Sequence, residues 1–280
     1  MPMYMIRYDE PLSLHTSFKI GGPAYCWIEP ENPEGILEAI NFIEAKNKKF
    51  IIAGKGTNLL VKDEGFNGAI IHLAKGFEKI EIEREVIIKA GAGLSLAKLV
   101  KYAFDNSLAD CEFLTGLPGN LGGAVEIKDI ILDVESLDLK DRKMKTLDKK
   151  DIDFKYRSSG LERKIILGAR LKLEKDNKVN IHDRVKAFNK KRDWLAKIGF
   201  PNAGSIFKNP SPDKSAGMLI ESCGLKGKRI GGAEISKVHA NIIVNLGKAT
   251  ANDVLGLIDL ARASVKQKFD IELELELKII

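Results

Sequence analysis

The stretch Ile51-Ile52-Ala53-Gly54-Lys55-Gly56-Thr57-Asn58-Leu59-Leu60-Val61 places two glycines directly after a β-branched run. Glycine there removes a Cβ and admits φ > 0, so successive N–H groups can line one anion-binding concavity. Thr57 and Asn58 add a hydroxyl and an amide that can reach phosphate oxygens. The spacing fits neither G-x-G-x-x-G nor G-x-x-x-x-G-K-[ST], which sets aside a Rossmann unit and a P-loop. A second glycine-rich loop follows at 113–125, where Gly116, Gly119, Gly122 and Gly123 flank Pro118. That composition suits a chain laid flat against a planar ligand. One glycine turn can be a tight connection and nothing more; two in one half of the chain favour a ligand.

Around these turns the pattern is α+β. Gly21-Gly22-Pro23 turns into a short strand, and Asn32-Pro33 opens a helix with Asn as cap and Pro at the first helical position. Lys49–Gly54 and Gly68–Leu73 read as strands, and 77–93 alternates as a hairpin. Residues 95–107 form an amphipathic helix capped by Ser95, with Leu96, Leu99, Val100, Ala103 and Phe104 on one face. Short strands are expected near 130–139, 143–147 and 164–173. The polar run 174–180 reads as a linker, which divides the chain into 1–178 (subdomains about 1–75 and 76–178) and 179–280. Beyond it, 181–199 reads as one helix ending at Gly199, and 214–232 as a helix stopping at Gly224 and then a strand. Residues 249–269 form a helix capped by Thr250 with Val254, Leu257, Ile258, Ala261 and Val265 inward. The final residues 271–280 alternate as a strand, with Glu272, Glu274 and Glu276 on one face and leucines on the other.

Bulk properties narrow the function classes. In 280 residues, 45 basic side chains face 39 acidic ones with the signs interspersed, so no broad nucleic-acid stripe is expected. A net charge of +6 suits small anionic ligands. Cys26, Cys111 and Cys223 are scattered and odd in number, which argues against a disulfide framework or cysteine metal site and for a reducing compartment. His15, His72, His182 and His239 lack metal-ligand spacing. The charged start carries no signal-peptide core, and no run approaches a membrane span. The expectation is a cytoplasmic, metal-free protein that binds neither nucleic acid nor membrane and acts as a monomer.

Several blocks together carry a resemblance: TSFKIGGPA, GKGTNLLVKDEGFNGAII, TGLPGNLGGAV, NAGSIFKNP, GLKGKRIGGAEIS and IELELELKII. In this order they resemble the UDP-N-acetylenolpyruvoylglucosamine reductase family of peptidoglycan precursor synthesis, in its shorter, type II-like subtype. The resemblance spans nearly the whole chain. It implies a two-subdomain FAD-binding lobe of the p-cresol methylhydroxylase/vanillyl-alcohol oxidase type, plus a C-terminal α+β substrate-binding lobe whose last strand returns to the active site. It implies non-covalent FAD, NADPH as hydride donor and a UDP-sugar substrate. By position, Gly54, Lys55, Gly56, Thr57 and Asn58 match the pyrophosphate loop, and Gly116, Pro118, Gly119, Gly122 and Gly123 the flavin loop.

The family reaction leaves an enolate-like carbanion at C2 of an enolpyruvyl ether, beside a carboxylate. Such an intermediate needs donor or cationic groups and a proton delivered on one face. By resemblance, Ser205 matches the proton donor, Arg157 the enolate-stabilising guanidinium, and Glu276 a further carboxyl on the intermediate. Lys208 and Asn209 are candidates for the substrate diphosphate. Each has a plainer reading alone: a turn serine, a surface arginine, solvated strand glutamates. Asp63-Glu64 reads as an exposed rim of the first loop. The chain departs from the family after Val125, where a segment resembling YMNAGAYG is missing and Val125 runs straight into Glu126-Ile127-Lys128. That leaves two alternatives open: another flavin oxidoreductase on the same scaffold, or a non-catalytic flavin-binding paralogue.

Overall fold

A computed structural model describes residues 2–124, 129–154, 160–161 and 163–280. Contacts group the chain into two units, neither continuous in sequence. The first takes Met1–Arg7, Trp27–Gly54 and Gly68–Arg192; the second takes Tyr8–Cys26, Lys55–Asn67 and Asp193–Ile280.

In chain order the elements begin with β1 (Tyr4–Pro11), β2 (Pro23–Pro30), α1 (Pro33–Ala45), β3 (Lys49–Ala53), β4 (Leu59–Leu60) and β5 (Phe66–His72). Asn32 caps α1 as its sequence predicts, its side chain accepting from the Gly35 N–H at 2.8 Å. β3 pairs in parallel with β5, Ile51 opposite Ile70, within a sheet ordered β1-β2-β5-β3. The sequence Tyr4–Pro11 does not announce β1. Its burial alternates poorly, which removes the period-two signal.

Wholly within the first unit lie β6 (Ile80–Arg84), β7 (Ile87–Gly91), α2 (Leu96–Asp105), β8 (Leu108–Ala109), β9 (Ile131–Asp138), β10 (Met144–Asp148), β11 (Lys164–Lys172), β12 (Glu174–Lys175) and α3 (Lys178–Lys191). A five-stranded antiparallel sheet runs β10-β9-β11-β7-β6. Its core joins Ile88, Val134, Ala169 and Leu171 of the sheet to Leu96, Leu99 and Ala103 of α2 and to Leu114 and Leu121. The last two leucines anchor the second glycine loop at both ends. The run 174–180 is not a linker. Glu174 and Lys175 pair with Ala109 and Leu108, and the Asn177 side chain caps α3. A polar strand edge and a polar cap have the same composition as a linker.

The second unit carries α4 (Asp193–Ile198), α5 (Ala216–Ser222), β13 (Arg229–Ile230), β14 (Ala233–Ile235), β15 (Ile243–Asn245), α6 (Ala251–Phe269) and β16 (Lys278–Ile279). The single helix expected over 181–199 is two helices. α3 closes at its C-cap Arg192, and Gly199 follows α4 at φ +67°. α6 matches its sequence reading: all five inward residues are buried and Thr250 forms a capping box with Asp253. The core gathers Phe18, Ile20, Leu60, Phe207, Leu219, Ile243 and Leu257 with Leu273 and Leu277.

The chain terminus differs from the expected ten-residue strand. Leu275 bridges Phe207 antiparallel, and only Lys278–Ile279 pairs as a strand, parallel to Leu59–Leu60. The alternation is real in burial: Leu273 and Leu277 are buried, Glu272 and Glu274 exposed, and Glu276 half-buried. Two different partners divide the segment, so no ladder runs its full length. Among the described residues no helix is long and apolar enough to cross a membrane.

Candidate active site

Gly54, at the start of the first glycine turn, meets the second glycine loop inside the first unit. A Cβ on Gly54 would lie 3.1 Å from Asn120 Oδ1, so Gly54 sits directly against the second loop. That loop runs beside 92–96: Leu121 N–H donates to Leu94 O and Gly122 N–H to Ala92 O, each at 2.8 Å, and Leu96 N–H to Gly119 O at 3.2 Å. The approach is close enough that a Cβ on Gly122 would come within 2.9 Å of the Ala92 Cβ. Arg192 Nη1 donates to Phe113 O at 2.8 Å and also to Thr115 O, fixing the entry to the loop. Burial lowers the Arg192 pKa, and the two carbonyls serve its guanidinium in place of water.

Lys55–Asn58 belongs to the second unit. Gly56 is buried at φ +60°, and a Cβ there would lie 2.3 Å from His15 O, so only glycine fits. Its carbonyl accepts from Ser17 N at 3.2 Å. The N–H groups of Gly56 and Thr57 donate to no acceptor among the described residues. Asn58 looks the other way: its Nδ2 donates to Glu276 O at 3.1 Å, and its own carbonyl accepts from Lys278 N–H at 3.2 Å.

The same unit brings Ser205 and Glu276 to neighbouring backbone. Glu276 N–H donates to the carbonyl of Ile206, the residue after Ser205, at 2.9 Å. Gly204 precedes Ser205 at φ +72°, and a Cβ on it would meet no atom within 4 Å, so space lies beside the serine. Ser205 is half-buried, and its hydroxyl makes no hydrogen bond among the described residues. Lys208 Nζ reaches exposed Glu274 at 3.3 Å, and Asn209 Oδ1 accepts from Ala216 N–H at 3.1 Å. Arg157 and the stretch immediately after Ala124 lie outside the described residues.

The groups present fit a flavin dinucleotide. Gly116 and Gly123 are exposed, a Cβ on Gly123 would meet nothing within 4 Å, and beside them Thr115 Oγ1 is buried without a hydrogen-bond partner among the described residues. An orphaned hydroxyl is costly unless a ligand satisfies it.

Residues 24–128 match the family model for an FAD binding domain, and residues 196–280 match that for the UDP-N-acetylenolpyruvoylglucosamine reductase C-terminal domain. The UDP-N-acetylenolpyruvoylglucosamine reductase of Chloroherpeton thalassium is 39% identical, the match covering 98% of this chain and 93% of that protein. The same-named protein of Bacillus subtilis is 37% identical over 97% of this chain and 93% of its own length. The chain belongs to the UDP-N-acetylenolpyruvoylglucosamine reductase family. The crystal structure of the Thermus caldophilus reductase superposes with a TM-score of 0.83 at 34% identity, covering 99% of this chain and 98% of that one. A reductase of this family is an FAD-dependent oxidoreductase, and the glycine turns at 54–58 and 116–123 both lie in or beside the matched FAD-binding span.

Four polar residues have partners or surroundings that their sequence neighbours do not announce. Asp63 is exposed, as a loop rim would be, and its two carboxylate oxygens also accept from Ala251 and Asn252 N–H at 2.7 and 3.1 Å, the first turn of α6. In the first unit Asn120 packs against Gly54 and Thr115 opens the second glycine loop; in the second unit Asn241 bonds both backbone groups of Phe207. A lone polar residue in an apolar run, as Asn241 is between Ala240 and Ile242, was the available signal.

Proposed function

We propose that this chain uses NADPH to reduce the enolpyruvyl ether of UDP-N-acetylglucosamine enolpyruvate to UDP-N-acetylmuramate, as a cytoplasmic monomer in peptidoglycan precursor synthesis. Bound FAD supplies the hydride relay from NADPH to C3 of the enolpyruvyl group. Residues 1–178 would hold that cofactor: Gly54, Lys55, Gly56, Thr57 and Asn58 would take the pyrophosphate, and Gly116, Pro118, Gly119, Gly122 and Gly123 would take the ring. Residues 179–280 supply the substrate side.

Hydride arrival at C3 leaves a carbanion at C2, and Ser205 delivers the proton there. A neutral hydroxyl is a weak acid, so the transfer is concerted with charge build-up on the carbon. Arg157 meets the developing enolate through its planar fork, and Glu276 approaches the same intermediate as a protonated or strongly hydrogen-bonded carboxyl. Lys208 and Asn209 stand near enough in sequence to Ser205 to take the diphosphate, Lys208 by exchanging Glu274 for phosphate oxygens.

The observation that carries this reading is the bond from Glu276 N–H to Ile206 O at 2.9 Å, which unites two candidate catalytic residues 71 positions apart beside an open Gly204. The test is NADPH consumption by the FAD-loaded protein. It should require UDP-N-acetylglucosamine enolpyruvate and yield UDP-N-acetylmuramate; consumption that ignores this substrate refutes the assignment.

A further inference from the structure

The segment that follows Ser205 is hydrogen-bonded along both edges, and two of its backbone groups bond one side chain, that of Asn241. Ile206 N–H donates to Asn241 O at 2.9 Å. Phe207 N–H donates to Asn241 Oδ1 at 2.9 Å, and Asn241 Nδ2 returns a bond to Phe207 O at 2.8 Å. From the opposite side, Ile206 O accepts from Glu276 N–H at 2.9 Å and from Leu277 N–H at 3.2 Å, and Lys208 N–H donates to Glu274 O at 2.9 Å. Ile206 and Phe207 are thus held between the chain terminus on one edge and Asn241 on the other. The amide of Asn241 imitates the donor–acceptor pair that a neighbouring strand would present.

Asn241 is itself held. It is 4% exposed, and its N–H donates to His239 Nδ1 at 3.2 Å, which assigns the ring proton to Nε2. The imidazole stacks on Trp194 with ring centroids 4.8 Å apart and planes 23° from parallel. Gly217 closes the other approach, where a Cβ would lie 3.0 Å from His239 Cε1. Burial lowers the His239 pKa and favours the neutral ring that this acceptor role requires.

We propose that Asn241 is a positioning residue for proton delivery: its side-chain amide sets the backbone that carries Ser205 in register with the backbone that carries Glu276. The proposal rests on Ser205 as proton donor. Asn241→Asp preserves the acceptor for Phe207 N–H but sets a carboxylate oxygen against Phe207 O. The register then slackens while the glycine turns keep their own bonds.

The test compares anaerobic half-reactions of the FAD-loaded full chain for wild type, Ser205→Ala, Asn241→Asp and the double variant. Asn241→Asp should slow product formation from the reduced enzyme roughly 10- to 100-fold, the scale of a misplacement near 1 Å. Flavin bleaching by NADPH should stay within about twofold of wild type. The double variant should be within about twofold of Ser205→Ala, because the two changes disable one step. Effects that multiply, or equal loss in both half-reactions, overturn the proposal. Should Asn241→Asp fail to retain FAD, Asn241→Ser serves in the same comparison with the same criteria. A wild-type enzyme whose reduced flavin is not reoxidised by the substrate sinks the functional reading and the proposal with it. Normal wild-type turnover with multiplied effects sinks the proposal alone.

Discussion

Asn58 Nδ2 lies 3.1 Å from the backbone carbonyl of Glu276, a contact between residues 218 positions apart. It places a residue of the first glycine turn in direct contact with the terminal segment. The link continues downstream: Lys278 N–H donates to Asn58 O at 3.2 Å, Ile280 N–H to Leu60 O at 3.0 Å, and Lys62 N–H to Ile280 O at 2.9 Å. The last residues therefore brace the same turn that holds Gly56 and Thr57.

Deleting Lys278-Ile279-Ile280 removes those three bonds, about 3 kcal/mol at roughly 1 kcal/mol each. The expected outcome is a lower unfolding midpoint together with FAD loss on gel filtration at a concentration where the full chain retains it. Unchanged FAD retention would show that the terminus does not support FAD binding through the first glycine turn.

Asp63 stands at the start of α6 alongside the Thr250–Asp253 capping box. Its carboxylate satisfies two first-turn amides and meets the positive end of the helix dipole. Asp63→Ala should lower stability by about 1–2 kcal/mol in urea unfolding, with the m-value unchanged. Asp63→Asn, which keeps an acceptor, should recover part of that loss.

Thr115→Val separates ligand from fold. The hydroxyl oxygen is buried with no partner among the described residues, so its removal should leave the apoprotein as stable or slightly more so. If the flavin satisfies that oxygen, FAD affinity should fall roughly 3- to 10-fold, the worth of one neutral hydrogen bond. Fluorescence titration of apoprotein with FAD reads the difference directly.

Cys111 is 1% exposed, and burial pushes its thiol up to about 12 from 9.0. The folded pKa lies above the unfolded one, so the contribution is complete below pH 9 and is lost as pH rises from 9 toward 12. Above pH 9 this site alone should steepen the loss of stability by up to about 1.4 kcal/mol per pH unit. Urea midpoints at pH 8, 9 and 10 should decline less steeply in Cys111→Ala, whatever its starting stability.

These relationships show where sequence was readable. α6 declared itself through a capping residue and five apolar positions at helical spacing, and all five are buried. The glycine turns were readable because Gly56 occupies a conformation and a space that other residues cannot. The terminus was only half readable. Alternation told which of Leu273, Glu274, Leu275, Glu276 and Leu277 turn inward, but not that Phe207 and Leu59–Leu60 share the segment between them. Asn241 and Asp63 were opaque for a related reason. Their importance lies in backbone groups far along the chain, and a side chain's own neighbours in sequence carry no trace of such partners.

The most direct test follows the flavin absorbance of Ser205→Ala through both halves of the reaction. NADPH should bleach the bound flavin at close to the wild-type rate, while subsequent UDP-N-acetylglucosamine enolpyruvate should restore the colour slower by at least about 10²-fold, the scale of a lost general acid. Recovery at the wild-type rate, or equal slowing of both halves, would contradict proton delivery from Ser205.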